Sequence, residues 1–160
     1  MSHYIHGFVS TTAVLQSVGQ ALPQAQFIPL SQGLAFMPFT EAIKIQLAQT
    51  DALSSELAFD QFETLTQRLA AIASSLSAAG PLAYVETEYF GGLGTQSAIV
   101  WTNGVVVLGP LLTDSTREGA INQALSHLGV VRSTHLDEFD AIGLGRYHTD
   151  EDWIKSLRQA

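Results

Sequence analysis

Leu82-Ala83-Tyr84-Val85-Glu86-Thr87-Glu88-Tyr89-Phe90, Gln96-Ser97-Ala98-Ile99-Val100-Trp101 and Val105-Val106-Val107-Leu108 are three runs rich in β-branched and aromatic residues, close together in the chain. The last two flank Thr102-Asn103-Gly104. Asn-Gly between apolar runs signals a hairpin, because both residues tolerate positive φ in a tight turn. Gly91-Gly92-Leu93-Gly94-Thr95 joins the first two runs. The stretch predicts a three-stranded antiparallel meander.

Upstream, Phe62, Leu65, Leu69, Ile72 and Leu76 recur at helical spacing until Gly80-Pro81. Asp60 and Glu63 have capping-box spacing and predict that this helix opens there. Tyr4 to Val9 reads as a strand, followed by a helix over Thr12 to Leu22 with Ser10 or Thr11 as cap and Pro23 as stop. Gln26 to Leu30 and Leu34 to Phe39 flank Ser31-Gln32-Gly33 as a hairpin. Thr40 to Leu57 fits a strand through Ile43, Ile45 and Leu47, but Thr40-Glu41 makes a helix start, and helix is the preferred reading.

Downstream, Ser115 and Glu118 form a second capping box, for a helix to Leu128 that Gly129 terminates. Asp137 to Ile142 predicts a further turn or two. Thr149 caps a last helix to about Arg158. Grouped hairpins among helices favour an α+β fold: an antiparallel sheet of hairpins and a three-stranded meander, packed with helices as a single layer pair, in one domain over residues 1–160.

The chain has 160 residues, of which 46% are hydrophobic and only 14% charged, and a formal charge of −8. Such an acidic balance excludes a basic nucleic-acid clamp, which needs clustered Lys and Arg. The apolar content argues against disorder. No apolar run has the length of a membrane span. Met1-Ser2-His3-Tyr4 lacks the pattern of a secretory signal, so the cytoplasm is the expected compartment. Zero cysteines exclude disulfides and thiolate sites.

Several patterns invite chemistry, and each has a plainer explanation. Gly91-Gly92-Leu93-Gly94 follows a strand as a phosphate loop does, but no Lys-Ser or Lys-Thr follows, and the next segment reads as a strand. Glu86 and Glu88, two apart on a strand, share one face. Val85 and Tyr89 look like core, so a solvated face accounts for the glutamates; if that face is a cleft or interface, they become cation binders on a rigid element. His3, His6, His127, His135 and His148 show no convergent ligand spacing, so neither a metal nor a cofactor is expected. Ser126-His127 are neighbours that point apart, and no nucleophile elbow is present, so no catalytic residues are assigned.

Six of the fifteen acids lie between Asp137 and Asp152, and only Arg146 offsets them there. Asp150-Glu151-Asp152 in a first turn, with Lys155 and Arg158 in the last turns, is the order the helix dipole favours. A local negative field results whatever the origin of each acid. Gly143-Leu144-Gly145-Arg146-Tyr147-His148 sits between the acidic clusters. It reads as a structural loop, or as a recognition loop, since Arg and Tyr are favoured interface anchors.

Two stretches, Tyr84 to Gln96 and Asp137 to Tyr147, resemble a family of small, uncharacterised bacterial proteins that are similar in size and acidity to immunity proteins of contact-dependent or polymorphic toxin systems. The resemblance lies mainly in the C-terminal half and implies no catalytic residues. It implies a cytoplasmic protein that neutralises a cognate, basic toxin domain by occlusion. Glu86, Glu88, Asp137, Glu138, Asp140, Arg146, Tyr147 and His148 are the expected partner-binding residues. Two other readings stay open: a small enzyme using the Glu86–Glu88 pair, and a small-molecule-binding or dimeric α+β protein. The chain is expected to be a monomer or homodimer, with no nucleic acid or membrane partner.

Overall fold

The computed structural model describes residues 3–48, 56–90, 93–114 and 119–158. The strands are β1 (His6–Thr11), β2 (Ile28–Pro29), β3 (Leu34–Pro38), β4 (Leu82–Phe90), β5 (Leu93–Thr102) and β6 (Val105–Asp114). The helices are α1 (Thr12–Ala21), α2 (Glu41–Ala48), α3 (Gln67–Leu76), α4 (Ala120–His127), α5 (Glu138–Ile142) and α6 (Asp150–Arg158), with a short 3₁₀ turn at Ser77–Ala79. The strands form one sheet in the order β2-β3-β1-β4-β5-β6, antiparallel at every pairing. The fold is α+β.

The meander is β4, β5 and β6, and Asn103 and Gly104 turn the second hairpin with φ of 53° and 78°. Gln32 and Gly33 turn the β2–β3 hairpin in the same left-handed region. The last strand runs beyond Leu108, through a register shift opposite Ala98–Val100 where Gly109-Pro110 stand. A Cβ on Gly109 would lie 2.6 Å from the Ala98 carbonyl oxygen, so a bulge this close to β5 needs glycine. Among the described residues, no helix is long and apolar enough to cross a membrane.

The helices cover both faces of the sheet, which corrects the single layer pair. Ala83 and Val85 of β4 join Ile121, Leu125, Ile142 and Trp153 of α4, α5 and α6 in one core. Leu82 and Tyr84 join Leu15, Ile43 and Leu69 of α1, α2 and α3 in the other. The physical reason lies in the run itself: successive residues of a strand face opposite ways, so a continuous apolar run is buried on both sides.

Most predicted helix ends stand. Thr11 caps α1, Asp137 caps α5, and Thr149 accepts from the Asp152 amide at 3.1 Å. Thr40 to Leu57 is helical over Glu41–Ala48. Ser115 to Glu118, Gly91 and Gly92 lie outside the described residues. The α4 amides of Ala120 and Ile121 instead bond Thr113 Oγ1 and Gln96 Oε1, at 2.8 and 3.1 Å.

The helix expected from Asp60 begins only at Gln67, where Thr66 Oγ1 accepts from the Leu69 amide at 3.2 Å. Residues 57–66 form a loop instead, closed by a Leu57–Thr66 bridge and an Ala58 N–H to Leu65 carbonyl bond of 2.9 Å. Phe62 and Leu65 are buried, as their helical spacing promised, but from this loop.

Candidate functional site

Glu86 explains the loop. Its Oε1 accepts from the Glu63 amide at 2.7 Å. Its Oε2 accepts from the Thr64 amide at 2.9 Å, the Thr64 hydroxyl at 2.8 Å and the Tyr84 hydroxyl at 3.0 Å. Thr64 Oγ1 and the Tyr84 hydroxyl are also within hydrogen-bond contact of each other, so their two protons are shared among three contacts. A carboxylate accepts only, and two backbone N–H donors presented together are what it binds best. The Glu63 amide, which a helix capped by Asp60 would leave as a first-turn donor, is thus taken by a side chain of the sheet, and the Thr64 amide is taken with it. Glu86 is therefore covered, while Glu88 on the same face is solvated as expected.

Beside this latch lies a small cleft of about 50 Å³, partly open to solvent and lined by His6, Gln61, Glu63, Glu86, Thr87, Glu88, Thr95, Ser97 and Leu112. Ser97 Oγ donates to the Gln61 carbonyl at 2.6 Å and ties the loop to β5. Glu88 is exposed at the cleft, and Glu63 is half exposed.

His6 stands at the start of β1 and is buried. Asp150, in the first turn of α6, holds it twice: Oδ1 accepts from the His6 amide and Oδ2 faces Nδ1, both at 2.9 Å. An acceptor-only carboxylate places a proton on Nδ1. Nε2 then faces Glu63 Oε2 at 3.6 Å, beyond hydrogen-bond reach, and has no hydrogen-bond partner. The Tyr4 hydroxyl donates to Glu63 Oε2 at 2.6 Å, and its ring stands edge-on to the His6 ring at 4.4 Å. Two hydrogen-bonded pairs, Asp150 with His6 and Tyr4 with Glu63, thus stand side by side, although positions 4 and 150 lie almost the length of the chain apart.

Burial disfavours the His6 imidazolium, but the hydrogen bond and charge of Asp150, with the fields of Glu86 and Glu63, outweigh it and raise the His6 pKa above 6.5. Burial likewise raises Asp150 against the pull of its bonds to His6. The Tyr4 hydroxyl holds Glu63 below its ordinary range, against desolvation and with help from His6. The same bond pushes Tyr4 upward.

Two raised pKa values mean that folding takes up protons at the His6–Asp150 pair. Their contribution is greatest below each group's ordinary value and is lost as pH rises through the folded one. Stability is therefore expected to decline as pH rises past the folded His6 value, above 6.5. Urea midpoints on either side of that range check this. The decline should shrink in His6→Gln, and a decline of equal size in the variant would refute the assignment.

The structure does not bring the remaining predicted residues to this cleft: α5, which carries Glu138 and Asp140 and is capped by Asp137, packs on the Ala83 and Val85 face of the sheet, whereas Glu86 and Glu88 alternate with Leu82 and Tyr84 onto the other face. The Tyr4 amide bonds the His148 carbonyl at 2.7 Å, and Tyr4 bridges Thr149. His3 Nδ1 lies 2.7 Å from Thr87 Oγ1, and its ring meets Phe139 at 5.5 Å and His148 at 5.9 Å. The two stretches that carry the resemblance thus meet through residues 3–6. Tyr147 packs edge-on against Trp153 at 4.8 Å. Asp137 accepts from the Asp140 amide and from Asn122 Nδ2, and Asp140 pairs with His135 at 3.3 Å. Glu138 is half-buried on α5, and Arg146 is exposed. Glu86 lines the cleft, but its oxygens accept four internal bonds, so it contributes its field.

Tyr4, Glu63, Thr64 and Asp150 are absent from the sequence-derived set, and His6 entered only as a metal candidate. Among the described residues, no group of three or more His, Cys, Asp or Glu is placed to hold a metal ion. No protein-family model matches the chain, and no curated protein or solved structure matches it significantly.

Proposed function

We propose that this protein is an immunity-type binding protein of the bacterial cytoplasm, which neutralises a cognate basic toxin domain by covering it. One observation carries the reading. Glu63 and Glu88 face a single open cleft beside the buried His6. Among the described residues no Lys or Arg forms an ion pair with either glutamate, since the lone Lys or Arg pair there is Lys44–Glu41. A rigid acidic recess with no Lys or Arg of its own is a receptor for an external cation. Asp150, held against His6, adds to the negative field that would steer a basic partner, while the acids of α5 stand on the other face of the sheet.

The enzyme reading loses its pair, because Glu86 is saturated by the loop amides and hydroxyls and only Glu88 is left for chemistry.

Capture from lysate of the source cell, followed by mass spectrometry and reconstitution, tests the proposal. The expected partner is a basic protein whose activity falls in stoichiometric complex and whose association slows as salt rises. A partner that stays active in the complex, or whose on-rate ignores ionic strength, overturns it. Sedimentation of the free protein separates monomer from homodimer.

A further inference from the structure

We infer that two copies of this chain pair antiparallel along the free edge of β6, over Val105–Val107, about a two-fold axis at Val106. The sheet order β2-β3-β1-β4-β5-β6 leaves two edges. One is blunt: β2 is two residues long and ends in Pro29, which has no N–H to offer, and the Ser31 amide just beyond it is taken by the Ile142 carbonyl at 3.2 Å. The other is open. Strand β6 is ten residues long, and among the described residues no strand pairs with its outer side. Natural edges are protected by charge, proline or a bulge. Gly109-Pro110 and the register shift before it protect the middle of β6, but Val105, Val106 and Val107 stand 61%, 38% and 45% exposed.

The occupant is a second copy because of charge and closure. No Asp, Glu, Lys or Arg stands between Glu88 and Asp114, in a chain whose formal charge is −8. Copies of such a chain repel each other, and the repulsion is weakest where β5 and β6 carry no charge. A strand paired antiparallel with itself sets Val106 against Val106 and Val105 against Val107, so valine meets valine throughout. Each copy spends its open edge in the pair. The blunt β2 edge cannot continue the sheet, so the contact closes as a dimer and does not grow into a filament.

The backbone sets the register. Thr102 and Val105 flank the two-residue turn Asn103-Gly104 and pair with each other, so the Val106 N–H and C=O point away from β5. A two-fold axis at Val106 then lets the two Val106 residues exchange both N–H to carbonyl bonds. The acidic cleft lies toward the opposite end of β5 and β6, against Thr95, Ser97 and Leu112, so the pairing leaves it open and is independent of what the cleft binds. So short a contact belongs to the weak class of interfaces, with a dissociation constant of about 0.1 mM.

Sedimentation equilibrium of the full-length protein, up to about 1 mM, tests this. The expected result is a reversible rise from monomer to dimer mass that stops at the dimer. Val106→Lys sets two lysines face to face and is expected to weaken the dimer about tenfold or more. An equimolar mixture of Val106→Lys and Val106→Glu sets opposite charges face to face and is expected to restore it. A thermal melt reports whether each variant folds. The unaltered protein supplies a second measurement: its Val106 amide should exchange with solvent more slowly as protein concentration rises. A monomer throughout the range, a mass that grows past the dimer, a dimer that neither Val106 variant weakens, or a Val106 exchange rate independent of concentration overturns the inference.

Discussion

Glu86→Ala is expected to lower folding stability by about 3–5 kcal/mol, because it removes the acceptor shared by two loop amides and the Thr64 and Tyr84 hydroxyls. The Glu63 and Thr64 amides lose their partners. The Thr64 and Tyr84 hydroxyls keep each other and lose the carboxylate. Phe62 and Leu65, which the loop inserts into the core beside Tyr84, come loose with it. Glu86→Gln should lose less, about 1–3 kcal/mol, since one carbonyl oxygen remains to accept while the NH₂ is set against donors. Urea unfolding with an unchanged slope measures both. A loss below about 1 kcal/mol would show that the loop is held by its apolar side chains and that the carboxylate is incidental.

Trp153→Ala is expected to cost a similar 3–5 kcal/mol or so through the cavity it leaves. Trp153 is fully buried, with its ring edge-on to Phe36 at 5.4 Å and to Tyr147 at 4.8 Å. It is the residue by which α6 is fastened to the sheet. Three residues earlier on the same helix stands Asp150, so loosening Trp153 loosens the hold on His6. The His6 titration should fall back toward 6.5 in the variant. Trp153→Phe should be milder, since it keeps most of the volume and removes an indole N–H that has no partner. A His6 titration by NMR, run beside denaturant unfolding, reads both effects. An unmoved His6 titration in a destabilised Trp153→Ala would mean that Asp150 is positioned independently of the packing of α6.

Much of the framework was legible because its causes are local. Asn103-Gly104 and Gln32-Gly33 turn where positive φ is tolerated, and Thr11, Asp137 and Thr149 cap the helices that follow them. The error at Asp60 is informative. The spacing of Phe62, Leu65 and Leu69 was right about burial and wrong about helix, because the amides of Glu63 and Thr64 found a better acceptor in a strand that follows later in the chain. Capping-box spacing reports what a segment would do alone, and a distant carboxylate overrode it.

The candidate site was legible only in part. Glu88 was named from its strand face, and it is exposed at the cleft. Glu86 was named from the same face, and it proved to be the latch beside that cleft. His6, Tyr4, Glu63 and Asp150 left no signature, since no spacing rule links positions 6, 63 and 150. Asp150 already had a sufficient reason to exist as a first-turn acid, which hid its second role.

The sequence by itself determined the α+β class, the hairpins of the meander, most helix termini and the surplus of negative charge, all of which follow from neighbours within a few residues or from counting. Only the tertiary structure decided that helices cover both faces, that Glu86 turns inward, and that Asp150 of α6 reaches His6 of β1 beside Glu63. Those outcomes depend on sheet order and on which buried donors and acceptors meet. Burial requires each such group to find a partner, but it leaves the choice of partner to the packing.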